Sequence, residues 1–174
     1  MTWTAPDIAR TPQVLIGDER ALLHSLLTRG REILLWKCQG LNGELLAIRS
    51  VEPSSMSLLG LIRHMTEVER GWFRRRAAGE PLDYVYCSET NRDGDFHDTV
   101  PDQAEADYAR FVEEIALADK AIADLPLDHT ALHPGTGTEL SLRWIYLHMI
   151  EEYGRHAGHA DLLRERIDGS VGYQ

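Results

Sequence analysis

Apolar residues recur at spacings of three and four in four long segments of the chain, which is the pattern of a helix with one buried face. The segments cover about residues 18–38, 55–78, 101–125 and 141–168. Stretches rich in Gly, Pro, Asp and Asn separate them and favour turns and loops. The pattern predicts an all-α fold, a four-helix bundle that forms a single domain over residues 1–174.

The expected ends of these helices carry residue types that commonly begin or stop a helix. The candidates for the starts are Asp18, one of Ser54, Ser55 and Ser57, Thr99, and Ser141, with an earlier start of the fourth helix near Thr138 left open. The candidates for the stops are Gly40, Gly79, Pro126 and Gly169. The connection 79–100 is long for a compact domain and predicts a crossover. Within it, Tyr84-Val85-Tyr86 is a candidate extended piece.

The fourth helix carries polar groups on its apolar side. At 100° per residue, Glu152, His156, His148 and His159 fall beside the aliphatic stripe of this helix. Burying an unpartnered carboxylate costs several kcal/mol or shifts its pKa until it is neutral. A divalent metal ion satisfies imidazole and carboxylate groups together. Glu152 and His156 are one turn apart and can chelate one ion, but His148 and Glu152 have the same spacing, so the register stays open.

The second helix offers a further ligand, His64, at the edge of its apolar face. His64, Glu152 and His156 would supply three protein ligands from two facing helices, which suit Zn, Ni or Fe. Three ligands leave one coordination position open, as in a catalytic site. The competing interpretation is a set of hydrogen-bonded core histidines without metal.

Charge and composition exclude several classes of partner. The chain has 28 acidic and 18 basic residues, which gives a net charge of −10. This balance argues against binding to nucleic acid and to anionic membrane surfaces. No apolar run approaches the roughly 18 residues of a membrane span, and residues 1–10 lack a secretory signal pattern. The two cysteines are too few for a disulfide framework, so the cytoplasm is the expected compartment.

Two smaller features have simple interpretations. Cys38 follows Lys37, which can lower the pKa of a thiol, but a small buried side chain is the favoured interpretation. The acidic run 91–95 (Asn-Arg-Asp-Gly-Asp) lacks the full spacing of a calcium loop and is predicted to be a solvated turn.

Three segments, 34–41, 57–73 and 141–161, carry a family resemblance that spans nearly the whole chain. They include Ser57-Leu58-Leu59-Gly60 leading to His64, and His148-Met149-Ile150-Glu151-Glu152 leading to His156-Ala157-Gly158-His159. In these segments the sequence resembles the DinB-like superfamily, and it looks closest to an actinobacterial branch of that superfamily.

The resemblance implies a four-helix bundle, often dimeric, that holds one divalent metal. The ligands of the superfamily are one His in the second helix and an H-x-x-x-H pair in the last. His64 and His156 match two of these positions, and Glu152 stands where the common pattern has the first His of the pair. A Glu there resembles the mycothiol-dependent maleylpyruvate isomerases. His148 and His159 match no ligand position of the pattern.

The resemblance also implies an activity. Active members are similar to S-transferases and isomerases that use a low-molecular-weight thiol such as mycothiol. We therefore expect a metal-dependent homodimer that acts on a small thiol and an electrophile. The alternative is a non-catalytic, stress-related bundle protein that binds metal or a small ligand.

Overall fold

Four long helices form the body of the protein in a computed structural model that describes residues 2–133 and 135–172. The helices are α1 (Glu19–Cys38), the short α2 (Gly43–Ala47), α3 (Leu58–Glu69), which continues as a π-helix (Arg70–Ala77), the short α4 (Gly94–His97), α5 (Ala104–Ile122), which follows a 3₁₀ turn (Pro101–Gln103), and α6 (Leu142–Asp168). Strands β1 (Thr130–Leu132) and β2 (Glu139–Ser141) pair as one antiparallel hairpin. The predicted all-α bundle, with a long crossover between the π-helix and α5, is confirmed.

Most of the predicted helix ends are set by the expected side chains. The side chains of Asp18, Ser57 and Ser141 accept hydrogen bonds from backbone N–H groups in the first turns of α1, α3 and α6. Helix α6 therefore begins after Ser141 and not near Thr138. It ends at Gly169, whose φ of 76° is the left-handed conformation that glycine adopts at low cost. The expectation for Thr99 is wrong, because Val100 holds the position before the 3₁₀ turn and no side chain caps it.

The core lies between two helix pairs, α1 with α6 and α3 with α5. Burial of each large apolar side chain contributes roughly 1.5–3 kcal/mol. The fully buried members include Leu27, Leu34, Leu58, Leu61, Ile62, Met65, Phe111, Ile145 and Met149. The aliphatic stripes predicted from the sequence therefore face this core, and the polar groups of α3 and α6 lie at its border.

Helices α1 and α6 are in close contact at Gly30. A Cβ atom at this position would lie 2.6 Å from the Cβ atom of Tyr153, which is closer than real side chains pack. Glycine is therefore required here by space, although its φ is ordinary for a helix. The close approach brings the backbone of α1 against the residue that follows Glu152.

Gly30→Ala is expected to lower the free energy of unfolding by about 1–3 kcal/mol, because the added methyl group forces the two helices apart. Gly154→Ala is the matched control: it lies on the exposed side of α6, with nothing within 4 Å of a new Cβ atom. The control should raise stability by about 0.5–1 kcal/mol through helix propensity. Urea unfolding measures both, and equal shifts in the two variants would contradict the close packing.

The crossover is anchored by a carboxylate of α3. The Oε1 atom of Glu67 accepts hydrogen bonds from the backbone N–H groups of Val85, Tyr86 and Cys87, at 2.7, 2.6 and 3.1 Å. The prediction of an extended piece at residues 84–86 is wrong. The N–H groups of Val85 and Tyr86 donate to the side chain of Glu67, and the structure has no strand at these residues. The anchor holds the crossover against α3, one turn from His64.

The hairpin and the π-helix are features that helical periodicity does not predict. The hairpin is tied to the bundle by His129, whose Nε2 atom lies 2.9 Å from the carbonyl oxygen of Ala77 at the end of the π-helix.

Within the described part of the chain, no helix is both long enough and apolar enough to cross a lipid bilayer.

Candidate metal centre

Three side chains from two helices converge at the border of the core. His64 of α3 and Glu152 and His156 of α6 each offer one ligand atom, and these atoms lie within 4.8 Å of one another. Donors that bind one ion at roughly 2 Å each lie at most about 4 Å apart, so the three side chains would have to move together slightly to bind a single ion. His156 is buried, whereas His64 and Glu152 are partly accessible. The cluster therefore has one side toward the core and one side toward solvent.

The ring of His64 is oriented by a carboxylate from the crossover. Its Nδ1 atom lies 2.8 Å from Oδ2 of Asp95, which is buried in the first turn of α4. Phe96 stacks on the same ring with 4.8 Å between centroids. Because Nδ1 of His64 is hydrogen-bonded to Asp95, Nε2 is the nitrogen that is left to bind a metal ion. A carboxylate behind a histidine fixes its tautomer and raises its basicity, as is common at metal sites.

The ring of His156 is held from its other side. Its Nε2 atom lies 3.5 Å from Oε2 of Glu152, and its Nδ1 atom lies 3.3 Å from Nδ1 of His159. Burial, followed by the repulsion from His64, lowers the pKa of His156 to about 4. The imidazole is therefore neutral at pH 7, which is the form that binds a metal ion.

The other two histidines of α6 contact this cluster without joining it. The Nε2 atom of His148 lies 3.9 Å from Oε1 of Glu152, and His159 forms a hydrogen bond with Nδ1 of His156. Burial lowers the pKa of His148, so its ring is neutral too. Among the described residues, the group of convergent ligand atoms contains His64, Glu152 and His156 alone.

The chemistry of this donor set fits a divalent ion. Two imidazoles and one carboxylate are a set that Zn, Fe and Ni accept. The carboxylate of Asp95 adds a second negative charge behind His64, so two carboxylates balance the charge of such an ion. The carboxylate of Glu152 also pairs with Arg155, at 3.3 Å, whose side chain is largely exposed.

Sequence reasoning missed Asp95. The run 91–95 was expected to be a solvated turn, but only 4 % of Asp95 is exposed. Its partner His64 is 31 residues earlier, so no local spacing connects the two. The available signal was chemical: a metal-binding histidine needs an acceptor for its second nitrogen, and the crossover is rich in Asp.

Asp95→Asn is expected to weaken metal binding by about 10–100-fold, since the amide supports the ring of His64 less strongly than the carboxylate does. Competition with a chromophoric chelator measures the metal affinity. Asp93→Asn is the control, because Asp93 is exposed at the same turn and its side chain makes no cap. An affinity that drops equally in both variants would mean that the turn, and not the bond to His64, matters.

An aromatic wall adjoins the cluster on the side of His148. We use this name for Trp72 of the π-helix together with Trp144 and His148 of α6. His148 stacks on Trp144 with 5.0 Å between centroids and an interplanar angle of 8°. It meets Trp72 edge-on at 4.6 Å, and the two indoles are 5.6 Å apart. The wall therefore begins at the residue that touches Glu152 and extends away along both helices.

Comparison with known proteins gives one finding. A family model described as Mycothiol-S-transferase matches residues 22–169, which is well over half of the chain. No curated protein and no solved structure gives a significant match. The matched range includes His64, Glu152 and His156. This family is DinB-like, as the resemblance implied, while the actinobacterial branch stays a prediction. The chain therefore belongs to the mycothiol-S-transferase family.

Proposed function

We propose that this protein is a metal-dependent S-transferase that joins a low-molecular-weight thiol, of which mycothiol is the leading candidate, to a small electrophile. The observation that carries the proposal is the convergence of three ligand atoms within 4.8 Å at the border of the core. Membership of the mycothiol-S-transferase family supports the choice of thiol. The proposed ligands are His64, Glu152 and His156, and the proposed ions are Zn, Ni and Fe.

The protein's own residues would bind and orient. His64, held by Asp95, and His156, held by His159, would keep two imidazoles in fixed orientations, and Glu152 would add a carboxylate. A divalent ion bound there lowers the pKa of a thiol that it contacts. In the proposed substitution the thiol gives its proton to solvent and the sulfur forms a bond to the carbon of the electrophile. The bond from that carbon to the leaving group breaks, and the leaving group departs with the electron pair.

The cysteines of the chain support an external thiol. Complete burial raises the pKa of Cys38 to about 12, so its thiol is protonated and inaccessible near neutral pH. Burial also raises the pKa of Cys87 to about 11. Because the thiolate is the reactive form, neither cysteine is a nucleophile at pH 7. The favoured interpretation of Cys38 as a small buried side chain agrees with this.

Thiol conjugation tests the proposal. Metal-loaded protein is mixed with mycothiol and monochlorobimane, whose conjugate is fluorescent, and the rate is compared with that of the reagents alone. We expect a rate well above the uncatalysed one, which a chelator abolishes and added metal restores. Cysteine and glutathione in place of mycothiol measure thiol selectivity. A stoichiometric metal complex that accelerates none of these reactions would overturn the assignment.

That last outcome would favour the alternative, a non-catalytic and stress-related bundle that binds metal or a small ligand. Three further expectations stay predictions: a single domain over residues 1–174, a homodimer, and a cytoplasmic location. Light scattering during size-exclusion chromatography gives the mass in solution, for which the dimer predicts twice the chain mass of 19.7 kDa.

A further inference from the structure

Charged side chains of α3 and the π-helix bind the crossover at successive points. Arg74 pairs with Glu80 at 2.7 Å, and Nε of Arg70 donates to the carbonyl oxygen of Asp83 at 2.9 Å. Glu67 then accepts three backbone N–H groups from the next part of the crossover. The binding points move toward the start of α3 as the crossover proceeds, so the last part of the crossover reaches the metal cluster.

Arg63 binds this last part of the crossover, where α4 begins. Its Nε donates to the carbonyl oxygen of Asp95 at 3.1 Å, and its Nη2 donates to that of Gly94 at 2.8 Å. Both bonds are buried, and only 7 % of Arg63 is exposed. A buried carbonyl group is costly to leave without a donor, so Arg63 keeps the first turn of α4 against α3.

The guanidinium of Arg63 is itself held from α5. Oδ2 of Asp107 lies 3.4 Å from Nη1 of Arg63, and Oδ1 of the same carboxylate accepts from the hydroxyl of Tyr86 at 2.9 Å. The guanidinium carbon lies over the ring of Tyr86, 4.2 Å from its centroid. A guanidinium carries five N–H donors in a fixed fork, so it can bind two carbonyl groups and a carboxylate at the same time. A lysine, with a single nitrogen atom, cannot span these acceptors.

Helix α4 lies close to α3 and contacts His64 with two successive residues. A Cβ atom at Gly60 would lie 3.0 Å from Cδ1 of Phe96, so α4 packs directly on the backbone of α3 there. Asp95 bonds Nδ1 of His64, and Phe96 stacks on the same ring. Arg63 holds the main chain of Asp95, so the position of this carboxylate depends on Arg63.

We propose that Arg63 is a positioning residue of the metal centre, which aims the carboxylate of Asp95 at Nδ1 of His64 by holding the main chain of α4. The hydrogen bonds of Arg63 go to α4 and to Asp107, and within the described residues none goes to a proposed ligand. Its effect on the metal must therefore pass through Asp95. The inference rests on the proposed function, because it assigns Arg63 to the metal centre on which that function depends.

A double-mutant cycle tests this route. The affinity for Zn²⁺ is measured against a chromophoric chelator for wild type, Arg63→Met, Asp95→Asn and the double variant. Arg63→Met alone is expected to weaken binding by about tenfold, the lower end of the usual loss when a hydrogen-bond partner of a metal ligand is disturbed. In the Asp95→Asn background the same change should weaken binding by less than about twofold, because the carboxylate that Arg63 aims is already lost. Equal losses in the two backgrounds would overturn the proposal.

Arg70→Met is the matched control. Like Arg63, Arg70 donates to a carbonyl group of the crossover and pairs with a carboxylate of α5, Glu114 at 3.1 Å, but its carbonyl group belongs to Asp83, outside α4. The Zn²⁺ affinity of this control should stay within about twofold of wild type, and a loss equal to that of Arg63→Met would overturn the proposal. Arg63→Lys keeps the charge and loses the fork, so we expect an intermediate affinity. Thermal melting shows whether each variant folds, and Arg63→Lys replaces Arg63→Met in the cycle if the latter does not.

Proton NMR of the metal-free protein separates this inference from the proposed function. The proton between Nδ1 of His64 and Asp95 should give a low-field resonance, which is assigned by its loss in His64→Gln. We expect this resonance in wild type and in Arg70→Met, and its loss in Arg63→Met through exchange with water. Its absence from wild type, or its persistence in Arg63→Met, would overturn the proposal. A protein that shows the expected pattern and binds no metal would sustain the hold of Arg63 on Asp95 while the proposed function failed.

Discussion

Glu69→Gln is expected to lower the free energy of unfolding by about 3–5 kcal/mol, one of the largest effects of any single substitution in this protein. The two oxygens of Glu69 pair with Nε and Nη2 of Arg31, at 2.7 and 2.8 Å. The hydroxyl of Tyr153 donates to the same carboxylate at 2.6 Å. Arg31 is 3 % exposed and Glu69 is fully buried, so solvent compensates neither charge.

The loss arises because the substitution leaves the charged guanidinium of Arg31 buried between the helices. Its remaining ion-pair partner is then Asp119, which is partly exposed. Adding Arg31→Met to the Glu69→Gln variant should therefore recover part of the stability, since it removes the uncompensated charge. Glu151→Gln is the matched control: its ion pair with Arg155 is 3.7 Å long and exposed, and such pairs contribute little or nothing measurable. Chemical unfolding measures all three variants. A loss under 1 kcal/mol for Glu69→Gln would contradict the buried network.

His156→Ala is expected to weaken metal binding by more than about 100-fold. This loss is larger than the one that follows when a hydrogen-bond partner of a metal ligand is removed. His156 is the most buried of the three proposed ligands, and its neutral ring needs no proton removed before it binds at pH 7. Competition with a chelator measures the affinity. Thermal unfolding gives a second measure, because metal at 100 times its dissociation constant stabilises the native state by about 2.7 kcal/mol.

His148→Ala is the matched control for that experiment. It removes a histidine of the same helix that touches Glu152 at 3.9 Å and is not one of the three convergent donors. We expect its effect on affinity to be within a factor of about ten, with wild-type stabilisation by metal retained. Equal losses in the two variants, or a wild-type affinity in His156→Ala, would contradict the proposed ligand set.

The long helices could be predicted because their signals are local. Apolar spacing marked α1, α3 and α6, and Asp18, Ser57, Ser141 and Gly169 set helix ends as expected. The same periodicity placed Glu152 and His156 one turn apart on the buried side of α6. Facing helices in a bundle then made His64 a reasonable third member of the cluster.

The parts of the fold and of the site that were not predicted depend mostly on contacts between residues that are far apart in the sequence. The crossover binds Glu67 through its own N–H groups, and Asp95 reaches His64 across 31 positions, so neither has a spacing that a single sequence reveals. The π-helix follows α3 without a break, and its apolar residues read as a continuation of the same helix. The hairpin strands have three residues each, too few for an alternating pattern to stand out.

The central claim is that two helices of this bundle hold a divalent ion, and elemental analysis of freshly isolated wild-type protein, prepared without chelators, tests it most directly. We predict close to one equivalent of Zn, Ni or Fe per chain, and almost none in His156→Ala prepared in parallel. A metal content near zero in the wild type, or an equal content in both proteins, would contradict the account.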